Sequence, residues 1–137
     1  MNAPPQWFHE RQFAAVALSA RYARRFVRTS LIDHDLPDLV DDIELVVSEL
    51  ATNAMQHAHT AFIVTLEATD HVVLVVVQDG SSTSPSHARA QSFDTTGRGI
   101  AIVNSLSRSW GVSPAAGPGK AVWVEFDRDS NRQEHQP

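Results

Sequence analysis

Residues 61–80 read AFIVTLEATDHVVLVVVQDG, two apolar runs joined by a short polar turn. In the first run Phe62, Val64 and Leu66 alternate with Ile63, Thr65 and Glu67. The second, 72–78, is dominated by β-branched residues. Period-two patterning of this kind marks strands, and the turn Ala68 to His71 makes them an antiparallel hairpin. Immediately upstream, residues 44–60 read ELVVSELATNAMQHAHT, where Leu45, Val46, Leu50, Ala54 and Ala58 recur at helical spacing. The repeat of the apolar pattern therefore changes from 3.6 to 2 near residue 60. That change decides the fold class.

Working outward, the helix that ends near His57 begins at Pro37, whose fixed φ suits a first turn. Asp38, Asp41 and Asp42 follow it and complement the positive end of the helix dipole. An earlier helix is expected from about Phe8 to Leu31, with Phe13, Val16, Ala17, Ala20, Ala23 and Val27 on one face and Arg21, Arg24, Arg25 and Arg28 on the other. Downstream of the hairpin, residues 79–98 form a long loop rich in Ser, Thr, Gly and Pro, which in a compact domain is functional or disordered. Residues 99–107 read as a short helix. Trp110 to Val112 and Ala121 to Phe126 read as strands around a turn from Pro114 to Gly119.

Consecutive strands imply hairpins, so the order predicts an α+β two-layer sandwich: a mostly antiparallel mixed sheet with helices on one face. One domain is expected over 9–127, between a loose lead-in, 1–8, and a frayed polar tail, 128–137.

Composition narrows the function classes. The chain has 137 residues and a formal charge of −5, a balance that argues against nucleic-acid binding. With no cysteine, disulfides and thiolate metal sites are excluded. No run reaches the length of a membrane span and no signal-peptide pattern opens the chain, so a cytoplasmic protein is expected. Lys120 is the only lysine among eleven basic residues, a bias that suggests a GC-rich bacterial genome.

Three features carry chemistry. Glu49, Asn53 and His57 lie four residues apart on one stripe of the second helix, at the rim of its apolar face. Such a stripe is often a polar boundary row. It also suits an active site, because an amide oxygen can ligate Mg²⁺ and a nearby carboxylate can polarise a hydroxyl. Asp79-Gly80 closes the second strand of the hairpin, either as a plain turn or as a carboxylate able to accept a hydrogen bond from an exocyclic amine. Gly97-Arg98-Gly99 precedes the short helix, where glycines allow close backbone approach and free N–H groups can bind phosphate. A flexible hinge would read the same way.

In order and spacing, ELVVSELATNAMQHA, VVVQDG and GRGIAIVNSL resemble the N, G1 and G2 boxes of the ATPase superfamily shared by gyrase, histidine kinases and MutL. Within it the chain most resembles the small bacterial anti-sigma factor serine/threonine kinases, the RsbW- and SpoIIAB-like group, over about residues 13–126. The resemblance implies a histidine-kinase-like ATPase fold that binds ATP and Mg²⁺. It casts Glu49 as the catalytic acid that activates an acceptor hydroxyl and Asn53 as the Mg²⁺ ligand, with His57 in the same box. Asp79, followed by Gly80, would read the adenine amine. Gly97, Arg98, Gly99 and Ile100 would close over the phosphates, and residues 81–96 would form the ATP lid. Either Arg89 or Arg98 would meet the γ-phosphate.

Two departures stand out. The two later glycines of the G1 pattern are replaced by Ser81 and Thr83. The last strand has Ala121 where a threonine often helps to hold a water in the adenine site. The implied function is a kinase that phosphorylates an anti-sigma-factor antagonist protein and sequesters a sigma factor, as a homodimer. The rival readings are a non-catalytic nucleotide-dependent binding module, a detached histidine-kinase catalytic domain, and an unrelated α+β domain. The arginine row on the first helix is either a partner surface or a solvated face.

Overall fold

A computed structural model of the chain describes residues 5–80, 97–114 and 119–128, with the backbone alone at 57, 58 and 97–100. Strand β1 (Trp7–Phe13) leads into helix α1 (Leu18–Asp33). A single 3₁₀ turn, Pro37–Leu39, opens helix α2 (Val40–Asn53), which runs on as a π turn, Ala54–Ala58. Strands β2 (Phe62–Ala68) and β3 (Val72–Asp79) follow. Helix α3 (Gly97–Leu106) and strands β4 (Ser109–Pro114) and β5 (Lys120–Asp127) complete the chain. The strands form one sheet in the order β1-β2-β3-β5-β4. All four ladders are antiparallel, so the mostly antiparallel expectation holds without a parallel pair among the described residues.

Alternation sorts each strand into two faces. Phe62, Val64, Leu66 and Ala68 of β2, Val73, Val75 and Val77 of β3, and Val122, Val124 and Phe126 of β5 are buried under the helices. Val27 and Leu31 of α1, Ile43, Val46, Val47 and Leu50 of α2, and Val103 of α3 meet them in one core. Each such side chain contributes about 1.5–3 kcal/mol relative to exposure. The helices are tied together by polar contacts as well. Arg28 pairs with Glu44 at 2.8 Å and Arg24 donates to Ser48 Oγ at 3.1 Å, both linking α1 to α2. Two of the four arginines singled out on α1 thus serve helix packing.

The first helix starts later than its sequence pattern suggests. Residues 7–13, expected as a lead-in and the first turns of a helix, instead pair with β2 from Trp7↔Ala68 to Phe13↔Phe62. The reason is tertiary. Strand β2 would otherwise leave a row of backbone donors and acceptors unpaired at the sheet edge. Phe13 also stacks on Phe62 at 5.4 Å, whereas Phe8 on the opposite phase is 52% exposed. Helix α1 stops in a left-handed turn: Asp35 has φ 61°, and the N–H of Leu36 returns to the carbonyl of Leu31 at 2.9 Å.

The π turn is a second departure. The helix was expected to run plainly to about His57, yet directly after Asn53 it widens, and the N–H of His59 reaches the carbonyl of Ala54 at 3.2 Å. His59 then adopts φ 56° and releases the chain toward β2. Single π turns inside helices are frequent at functional sites. The expected lid (81–96), most of the turn before β5 (115–118) and the tail from 129 onward lie outside the described residues.

Candidate functional site

The apolar register of α2 aims Leu50 and Ala54 into the core, and this carries Asn53 in with them. Asn53 is only 6% exposed, deeper than the rim position its spacing suggests, and Glu49 one turn earlier is half-buried. The Nδ2 of Asn53 is buried with no hydrogen-bond partner among the described residues. A buried amide without a partner is rare in proteins and calls for a reason. The amide is uncommitted to the protein, and its oxygen is a neutral donor of the kind Mg²⁺ accepts beside phosphates. On the metal side, then, the residues fit the group the sequence implies.

Opposite α2 stands Asp79, the last residue of β3, itself buried. Thr60 holds the turn that follows, accepting the Gly80 N–H at 2.9 Å. Asp79 faces Lys120 directly across the β3–β5 ladder. Lys120 Nζ donates to Asp79 Oδ2 at 2.5 Å, and the two side chains are 4% and 5% exposed respectively. Such closeness depends on Gly119, which has φ 120° and where a Cβ would run into the Asp79 carbonyl oxygen. Leu50, Asn53, Ala54, Val77, Asp79, Lys120 and Val122 enclose a cavity of about 10 Å³. That is about the room of one water. The structure therefore brings Asn53 and Asp79 to one site, and brings Lys120 there with them.

Lys120 was missed in the sequence, although a signal existed. It is the chain's lone lysine, and it falls in phase with the inward residues Val122, Val124 and Phe126. Ala121, noted as the departure in the last strand, lies on the other phase, opposite Gln78. The residue directly across from Asp79 is thus Lys120. Thr60 carried no sequence signal, because its role depends on where β3 ends.

The remaining expected residues are placed only in part. His57 lies in the π turn, and Gly97, Arg98, Gly99 and Ile100 form the start of α3; their side chains are outside the described residues, as is Arg89. A wider groove of about 550 Å³ runs between β1 and α1, lined among others by His9, Arg11, Tyr22, Arg25 and Asp33. It is larger but includes neither Asn53 nor Asp79, so size alone is a poor guide to the chemistry here.

No helix among the described residues is long and apolar enough to cross a membrane. A search of curated proteins returned no match. The family model of the histidine kinase-like ATPase domain matches residues 11–126, from β1 to the end of β5. Because that match spans the sheet, the helices and the cavity that joins Asn53 to Asp79, the chain belongs to the histidine kinase-like ATPase domain family.

Proposed function

We propose that the chain is an anti-sigma-factor kinase, which phosphorylates a serine or threonine of an antagonist protein and holds a sigma factor when that antagonist is absent. The observation that carries this reading is the pairing of half-buried Glu49 with buried, uncommitted Asn53 one turn later on α2. Membership of an ATP-binding family supports the choice of ATP as phosphoryl donor. Asn53 would hold Mg²⁺, which when bound offsets phosphate charge. Glu49 would orient the acceptor hydroxyl and take its proton. The bond from the γ-phosphorus to the bridging oxygen breaks, a bond to the acceptor oxygen forms, and ADP leaves. Phosphoryl transfer depends mainly on positioning and charge stabilisation, so a sparse site suffices. The role implies the cytoplasm, where sigma factors act, and β1, the terminal strand of the sheet among the described residues, is the surface we assign to a homodimer.

A second reading is favoured by one observation: Asp79, the residue expected to read adenine, is already paired with Lys120. On that reading the chain is a binding module that regulates its partner without transfer. The antagonist, captured from the host and incubated with radiolabelled ATP at millimolar concentration, separates the two. The kinase reading expects label on serine or threonine that falls by about 10²–10⁴ in Glu49→Gln, the usual worth of a positioned base. A wild type that binds ATP and antagonist yet transfers no label leaves the binding module standing.

A further inference from the structure

We infer that Lys120 is a built-in occupant of the base pocket, whose ammonium takes the place on Asp79 that an adenine amine would take, and so sets both the affinity and the base preference of this site. The inference rests on the nucleotide-binding reading of the domain, and it changes what that reading predicts.

Three observations carry it. The first is register: Asp79 and Lys120 are directly opposed across β3 and β5, so their side chains share the face turned toward α2. The second is burial with contact. Both side chains are at least 95% buried, and Nζ stands 2.5 Å from Oδ2. The third is space. The cavity bounded by Leu50, Asn53, Ala54, Val77 and Val122 around this pair holds about 10 Å³, whereas ligand pockets span about 300–1,000 Å³. A purine ring has no room beside Asp79 while Lys120 stays where it is.

Chemistry sharpens the point. An exocyclic amine is a neutral donor, and a charge-assisted bond from an ammonium is about twice as strong. A base that displaces Lys120 must also leave that ammonium with another partner or in water. The competition therefore favours the closed pocket. The phosphate and metal side is assigned to Glu49 and Asn53; Asn53 lines the same small cavity as Lys120, but the ion pair of Lys120 is with Asp79. Wild-type binding should accordingly be driven by the triphosphate and be nearly blind to the base.

The test measures binding of ATP, GTP and inorganic triphosphate, each with Mg²⁺, to wild type and to Lys120→Thr, a short β-branched replacement suited to a strand. Wild type is expected to bind ATP and GTP within about threefold of each other. Lys120→Thr is expected to bind ATP roughly tenfold tighter or more, and to prefer it over GTP by a similar factor, as a regained buried polar contact should give. If wild type already selects ATP over GTP and the variant binds no tighter, the inference is overturned and the nucleotide-binding reading stands. If neither folded protein binds any of the three, the nucleotide-binding reading fails and takes the inference with it.

Lys120→Thr leaves Asp79 buried with one partner fewer, so a measurement on the unmodified protein guards against a variant that does not fold. The lone lysine makes this simple, because acylation by an amine-reactive ester, read by peptide mass, reports Lys120 apart from the N-terminal amine. Lys120 should resist acylation in the folded protein and become reactive when saturating ATP displaces it. Acylation at the rate of a free lysine without nucleotide would overturn the inference. So would bound ATP that leaves the protection unchanged.

Discussion

The side chain of Asn53 is buried beside Leu50 and Ala54, and its Nδ2 finds no acceptor among the described residues. Leaving such a group desolvated costs about 1–3 kcal/mol. Alanine at this position removes the stranded amide and improves helix propensity by a few tenths of a kcal/mol, while losing some packing. These effects oppose one another, so Asn53→Ala should change unfolding free energy by less than about 1 kcal/mol, against the 2–5 kcal/mol usual for deeper truncations. Binding should respond differently, with Mg-ATP weakened far more than metal-free ATP. Urea denaturation and calorimetry measure the two. Equal loss with and without metal would remove Asn53 from the ligand role, and a large loss of stability would show that its amide is satisfied after all.

At the scale of elements, β1 carries the main departure from the sequence pattern. Its evidence is the contrast between two phenylalanines five residues apart. Phe13 is 7% exposed and stacks on Phe62, and Phe8 is 52% exposed on the other phase of the strand. Phe13→Ala should therefore cost about 3–5 kcal/mol, as large aromatic truncations in cores do. Phe8→Ala should stay within about 0.5 kcal/mol, as surface changes do. Chemical denaturation of the two variants checks both numbers. Similar losses at both positions would contradict a strand with one buried face. The helical reading of 8–17 failed because that segment has only scattered apolar residues, and what selects strand up to Phe13 is the unpaired edge of β2, about fifty to sixty residues later.

On the scale of the whole molecule, three distant segments meet around His34. Its ring stacks on Trp7 at 4.1 Å, and its Nε2 lies 2.9 Å from that of His9 on β1. Arg128, after β5, donates to Gln6 Oε1 at 2.9 Å and to the Thr69 carbonyl at 2.6 Å. Burial, first, and the neighbouring His9, second, hold the His34 pKa below its ordinary 6.5; Arg128 acts in the same direction and Asp33 against it. The unfolded chain thus takes up this proton before the folded one does. Stability from this group is complete above about pH 6.5 and declines as pH falls through that value toward the lower folded pKa. The melting temperature should drop between about pH 7 and pH 5, and His34→Gln should make that drop shallower. Melting curves across this range decide it, and an unchanged slope would assign the pH dependence to other groups.

Sequence alone determined the hairpin of β2 and β3, the bodies of α1 and α2, the short α3, the final pair of strands and hence the α+β class. These are legible because burial on one face imprints a local period of 3.6 or 2, and each period needs no knowledge of the partner. The candidate residues Glu49, Asn53 and Asp79 were legible for a related reason, being polar groups set into apolar patterns. Only the tertiary structure decided that 7–13 is a strand, that Asn53 is buried with a stranded amide, and that Lys120 rather than Ala121 stands at Asp79. The last of these joins residues 41 apart in the chain. It depends on the register of β3 against β5, where a slip of one residue would turn Lys120 to the opposite face of the sheet.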